Sequence, residues 1–283
     1  MDEKFKDIPI TDAHMHLDEK GRYLEAAREF KSAGGTAIIL VNKPIWTLPT
    51  FEELYETTLR IAEKVREEVD LKVGVVLGPH PAYITRLTEN GRMSLDEAVV
   101  MMAKAIRSAG DKVEEGEAVA IGEIGRPHYP VSKEVMAASN CIMRTGFEVA
   151  ADAQCAVVLH TESTTIGTFK ELADLADDVG IPRERVVKHF CPPFVKQEEN
   201  LGIFPSVLAN DRFTAAAVKD GKGRFLLETD YLDDPNRPGA VLGPKTVPKR
   251  TLELLKSGGL SIEDVHKIHK ENVDRIFHLD EGF

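Results

Sequence analysis

Short apolar runs rich in β-branched residues recur along the chain, each followed by a longer stretch whose apolar positions have helical spacing. The runs are IPITDAHM, TAIILVNK, LKVGVVLG, AVAIGEIG, CAVVLHTE, RVVKHFCP, IFPSVLAN and RFLLETDY. Near-continuous apolar strands belong to a parallel sheet covered on both faces. Segments such as FEELYETTLRIAEKVREEV and SLDEAVVMMAKAIRSAG supply the covering helices. Eight strand–helix units predict an α/β fold, the (β/α)8 TIM barrel. An open doubly wound sheet competes with it, but that fold carries a Gly-rich phosphate loop after its first strand. Here the first strand runs into HMHLDEKG instead. The seventh unit is the weakest, since IFPSVLAN is followed only by the short helical stretch FTAAAVKDG. Ser261 stands three residues before Asp264 as a capping signal, and 261–277 reads as a closing helix on the barrel's outside. With no internal repeat, linker or low-complexity segment, 1–283 reads as a single domain.

The polar residues break this pattern at one end of the strands. In ITDAHMHLD, His14 and His16 are two apart in a strand and share a face. His80, Glu123, His160, His189 and Asp230 also fall at predicted strand ends. One histidine in an apolar run is ordinarily a satisfied core residue. Independent accidents would scatter along the strands, whereas these gather at the carboxyl end, where a barrel keeps its chemistry. Four histidines with two carboxylates exceed what one tetrahedral zinc takes. They suit two divalent ions sharing a bridging group and holding a hydroxide against a phosphoryl or carbonyl substrate.

Bulk composition narrows the surroundings. With 42% hydrophobic and 29% charged residues the chain is ordinary globular material. No apolar run is long enough to span a bilayer, and the polar start MDEKFKDIP is unlike a secretory signal. Three cysteines without CxxC spacing argue against a disulfide framework, so a cytoplasmic location is expected, with no membrane and no obligate protein partner. A net charge of −11 disfavours sequence-independent binding along a duplex but allows a small phosphate-binding site.

HMH, LGPHP, GEIG, the lone histidines at 160 and 189, LLETD and ENVDRIF occur in an order that resembles the TatD-like metal-dependent hydrolases, a branch of the amidohydrolase superfamily. The resemblance spans nearly the whole chain and implies a TIM barrel, two divalent ions and hydrolysis, most often of DNA. It implies that His14, His16 and Asp230 hold one ion, that Glu123 bridges, and that His160 and His189 complete the second site. Asp230 is the natural general base on the attacking water, which makes Asp230 and Glu123 the catalytic pair. His80 matches a position lining the site and is assigned to substrate phosphate or leaving-group contact. Zinc is the first-choice metal, with manganese, nickel, iron or magnesium as alternatives. The expected substrate is a phosphodiester, small and anionic, including a nucleic acid end. A C–N amidohydrolase or lactonase and a metal-binding protein without turnover are the competing functions.

The substrate-facing loops depart from the family. Arg126-Pro127-His128-Tyr129 follows GEIG in place of Leu-Asp-Tyr, Thr161-Glu162-Ser163 follows His160, and Phe190-Cys191-Pro192-Pro193 replaces Phe-Ser-Gly. Arg126 and His128 are candidate substrate clamps, the competing reading of Arg126 being a partner for surplus acids. Cys191 is a conceivable thiolate ligand or, more ordinarily, a buried small hydrophobe. Glu228 either orients a neighbouring ligand or joins a buried ion pair. His266 and His269 read as surface or helix-packing residues. Asn236-Arg237-Pro238 with Lys245, Lys249 and Arg250 form a basic loop that is either a receiver of anions or simply solvated.

Overall fold

The computed structural model describes residues 8–44, 50–221 and 223–279. Its strands are β1 (Thr11–His16), β2 (Ala37–Val41), β3 (Lys72–Leu77), β4 (Ala120–Gly125), β5 (Ala156–His160), β6 (Val186–Cys191), β7 (Phe204–Leu208), β8 (Leu226–Glu228) and β9 (Tyr231–Leu232). All neighbours are parallel, in the order β8-β7-β6-β5-β4-β3-β2-β1-β9. The helices that join them are α1 (Leu24–Ser32), α2 (Phe51–Val69), α3 (Tyr83–Thr88), α4 (Leu95–Glu114), α5 (Lys133–Asp152), α6 (Ile166–Val179), α7 (Gln197–Asn200) and α8 (Asp211–Gly221), with α9 (Thr246–Ser257), α10 (Ile262–His266) and α11 (Asn272–Phe277) after the last strand. The chain is a (β/α)8 TIM barrel, as its alternation predicts.

The eighth apolar run forms two strands rather than one. Only Thr229 and Asp230 separate β8 from β9, and Asp230 adopts a left-handed φ of 50°. β9 then pairs with β1 through Met15–Tyr231 and His16–Leu232, which closes the barrel. Asp12 spans the interruption. Its carboxylate accepts from the Thr229 amide at 3.0 Å and from the Thr229 hydroxyl at 2.6 Å. Burial pushes the Asp12 carboxyl up to about 7 against the pull of those bonds.

Alternation along the strands builds two apolar layers. Ile38 and Leu40 pack toward the helices, while Ile39 and Val41 join Ala37, Val76, Ala120 and Ala156 inside the barrel. The seventh unit is complete, because α8 begins at Asp211, before the helical stretch recognised in the sequence. Capping sets several helix starts. Ser94 with Glu97, and Ser261 with Asp264, form reciprocal capping boxes. The C-terminal segment differs from expectation in position. A π-turn over 267–271 links α10 to α11. Val273, Ile276 and Phe277 pack among the interior alanines, so the segment plugs the amino-terminal end of the barrel instead of lying on its outer wall. Among the described residues no helix is long and apolar enough to cross a membrane.

Candidate metal centre and its two lobes

Three irregularities of strand register fall at the ends that carry the candidate ligands. They lie between Asp12 and Met15, between Gly122 and Ile124, and between Lys188 and Cys191. In β4, Ala120 faces the interior and Ile121 the helices, yet Ile124, three residues on, again faces the helices. The extra residue turns Glu123 toward the barrel axis, which strict alternation would not do. Gly125 follows at φ 134°, with its Cα against the His160 carbonyl oxygen, where any side chain would overlap. The close approach lets the Arg126 amide donate to that oxygen at 2.8 Å.

His14, His16, Glu123, His160, His189 and Asp230 converge at the carboxyl end of the strands. His14 Nε2 and His16 Nε2 are 3.2 Å apart. They lie 3.6 and 3.5 Å from Glu123 Oε2, and 3.8 and 3.6 Å from Asp230 Oδ1. Such spacings separate ligands around a small cation bound at about 2.0–2.2 Å. The other Glu123 oxygen faces a second group. Oε1 lies 2.8 Å from His189 Nε2 and 3.0 Å from His160 Nδ1, and those nitrogens are 3.1 Å apart. His14 also stacks on His189, with ring centroids 4.2 Å apart. One carboxylate thus offers an oxygen to each of two imidazole pairs.

Outer partners orient the rings. His16 Nδ1 donates to the Val41 carbonyl at 3.0 Å, which leaves its Nε2 lone pair toward the cluster. Glu228 accepts from the Phe190 amide at 2.5 Å and from the Ser206 hydroxyl, and its Oε1 lies 3.4 Å from His189 Nδ1. That last contact is off the hydrogen-bonding direction. His160 Nε2 meets His128 Nδ1 at 2.8 Å. His80 differs from the others. Its Nδ1 accepts from the Ala82 amide at 3.1 Å, so the neutral ring carries its proton on Nε2 and presents a donor. It still approaches closely enough to group with Glu123 and His160 as a ligand set.

The electrostatics call for positive charge at the centre. Burial opposes ionisation of Glu123, but the surrounding imidazoles, His189 first, outweigh it and hold the carboxyl well below its usual range. Asp230 is lowered in the same way, burial being overcome by its bond to His16 and the charges of His189 and His14. Burial also opposes a proton on His189, yet Glu123 raises that imidazole to about 10. His80 is pushed down to about 3 by burial and stays neutral. Two anionic carboxylates among imidazoles, closely spaced and nearly dry, are a donor set suited to divalent cations.

Two lobes of about 500 and 560 Å³ open from this cluster. His128, His160, His189 and Asp230 line both and therefore stand at their junction. The larger lobe includes His80, Tyr129, Arg86 and Arg237. The smaller is walled by the segments after His160 and His189, together with Lys188 and Phe213. Arg126 is buried beside the centre, but its guanidinium binds Glu162 at 2.6 Å and Glu171 at 2.7 Å. It is held by acids instead of facing a ligand. The basic segment is only partly a loop, since Lys249 and Arg250 lie on α9, and most of its charges are likewise engaged. Lys245 pairs with Glu29 and Arg250 with Asp211, which leaves Arg237, itself bonded to Asp234, at the lobe. Burial pushes the Cys191 thiol up to about 12, and the residue packs in the core. Asp12 and Lys188 are not singled out by the sequence, although both lie inside apolar runs read as buried strands.

The sequence matches the family described as TatD-related DNase over residues 11–278. It is 43% identical to an uncharacterized protein of Methanocaldococcus jannaschii, with 97% of this chain and 98% of the relative aligned. Among solved structures it superposes on a TatD homologue of Escherichia coli with a TM-score of 0.64 at 17% identity, covering 97% of this chain and 99% of the other. A dihydroorotase of Saccharomyces cerevisiae shares the fold at a TM-score of 0.62 and 12% identity, over 96% of this chain and 84% of the other. With the barrel, the ordered strand-end residues and this match together, the chain belongs to the TatD-related DNase family and is a metal-dependent hydrolase.

Proposed function

We propose that the chain hydrolyses a phosphodiester, either a small nucleotide or the end of a nucleic acid, with two divalent cations, zinc being the first choice. The observation that carries this reading is the division of Glu123: Oε2 lies beside His14 and His16, which Asp230 also approaches, and Oε1 lies beside His160 and His189. Cations bound to such a set acidify water and neutralise charge on the substrate's phosphoryl oxygens. Asp230 stands at the junction of the lobes, ionised, and takes the proton of the attacking water. His80, with its proton on Nε2, donates to the leaving oxygen or a phosphoryl oxygen. His128 reaches substrate from the junction, and Arg126 acts at one remove by fixing Glu162 in the smaller lobe. The protein acts on its substrate as a cytoplasmic enzyme without a membrane or an obligate partner.

The test pairs metal content by plasma mass spectrometry with hydrolysis of bis-p-nitrophenyl phosphate before and after chelation. Close to two ions per chain and a chelator-sensitive rate support the phosphodiesterase. Metal without phosphodiester turnover, together with cleavage of amides or lactones, replaces it with a C–N hydrolase. Metal with no turnover of either class makes the chain a binding protein.

A further inference from the structure

Two of the three segments that depart from the pattern this chain resembles, those after His160 and after His189, line one cavity. Thr161, Glu162 and Thr164 come from the loop after β5, Phe190 and Pro192 from the end of β6, and all line the smaller lobe. Phe190 is 45% exposed there although it is a large aromatic beside a buried histidine. Two constraints hold its backbone. Its backbone is in the left-handed region at φ 48°, which a bulky residue seldom adopts, and its amide is held by Glu228. The ring stands 6.2 Å from the His189 ring, and Phe213 lines the same lobe.

The lobe also carries polar groups whose capacity is not used up. Lys188 is buried, with its ammonium bonded to the His189 carbonyl oxygen and in no ion pair among the described residues. Its Nζ carries more N–H groups than that one carbonyl oxygen takes up, so it can donate to an acceptor from elsewhere. Glu162 gives Oε1 to Arg126, while its buried Oε2 has no hydrogen-bond partner among the described residues. Arg126 is already balanced by Glu162 and Glu171, so the lobe does not ask for a second phosphate. It offers an aromatic face, a donor and an acceptor in about 500 Å³. A nucleobase presents the matching set: a flat π-face and, on one edge, an acceptor beside an N–H donor.

We propose that the smaller lobe seats one base of the substrate, stacked on Phe190 and met at its polar edge by Lys188 and Glu162. This rests on the nucleotide reading of the metal centre and adds where the base goes. The base is held in a lobe beside the scissile phosphate, so the enzyme takes a single nucleotide or a chain terminus.

The test is calorimetric binding to the metal-loaded protein. Ribose 5-phosphate is compared with the nucleoside 5′-monophosphates, for wild type, Phe190→Ala and Phe190→Trp. At least one monophosphate should bind tenfold or more tighter than ribose 5-phosphate. Phe190→Ala should erase that ratio and Phe190→Trp should keep it. No gain from any base, or a gain that survives Phe190→Ala, overturns the proposal. Failure of the phosphodiester reading is recognised separately, as no binding of inorganic phosphate or ribose 5-phosphate. In that case free nucleosides are compared in wild type and Phe190→Ala, and loss of nucleoside binding in the variant upholds the seat while its absence in wild type overturns it.

Discussion

At the scale of single residues, the sharpest question is what Asp230 does besides sitting near His14 and His16. Asparagine keeps an oxygen at the same place but cannot take a proton. Asp230→Asn should therefore lower kcat by about 10²–10⁴-fold, the range of general-base contributions, with metal content largely retained. Rate and bound metal measured on the same samples check this, and a rate loss that tracks metal loss would reduce Asp230 to a ligand. The candidate ligand side chains stand out in sequence because histidines and carboxylates at the ends of apolar strands are conspicuous. Their supporting groups were less so. Glu228 stood out through its spacing from Asp230, but its hold on the Phe190 amide could not be read from a string. Asp12 anchors Thr229 across more than two hundred residues, and no local signal marks such a contact. Its position after GEIG puts Arg126 at a strand end, but the side chain is buried and lines neither lobe. Whether its charge faced a substrate or a pair of acids depended on Glu171, contributed by a distant helix.

At the scale of elements, the apolar runs mark eight of the nine strands and most helices, because a buried parallel strand and an amphipathic helix each leave a distinct pattern. It failed where the chain deviates from its own period. The register shifts in β1, β4 and β6, and the break between β8 and β9, lie where ligands are aimed inward. The closing segment was legible as a helix but not as a plug, since its apolar face fits either an outer wall or the barrel's open end. His269 in its π-turn shows how the plug is fastened. It is buried, its Nδ1 lies 3.2 Å from the Thr11 amide, and its Nε2 lies 2.9 Å from the Thr251 hydroxyl. Burial lowers its pKa from 6.5 to about 4. The neutral ring is the form the fold accepts, so its stabilising contribution is full above pH 6.5 and is lost as pH falls toward 4. A shift of this size corresponds to about 3 kcal/mol across that window. In chemical unfolding of metal-free protein at several pH values, His269→Gln should flatten the acid limb of stability relative to wild type. Parallel curves for the two proteins would contradict the assignment.

At the scale of the whole molecule, the candidate metal centre draws on strands that are far apart in the chain. Its groups come from β1, β4, β5, β6 and the β8–β9 junction, so they tie both sides of the barrel's closure together. Without cations, Glu123 and Asp230 are opposed only by protons on neighbouring imidazoles, in a chain that already carries a net charge of −11. A cation that binds the folded cluster and not the unfolded chain adds stability by mass action, about 4 kcal/mol when free metal stands a thousandfold above its dissociation constant. For a chain of 283 residues that corresponds to a rise in Tm of roughly 8–16 °C at about 2–4 °C per kcal/mol. Chelation followed by desalting should therefore lower the melting temperature by this amount, and adding zinc back should restore it. The same cycle in Glu123→Gln separates a bridged pair from a single occupied site. If Glu123 serves both ions, its replacement should abolish most of the metal-dependent rise and leave the metal-free melting temperature much closer to that of wild type. A variant that keeps the full rise would place the cation on His14, His16 and Asp230 alone, and the case for two ions would fail with it.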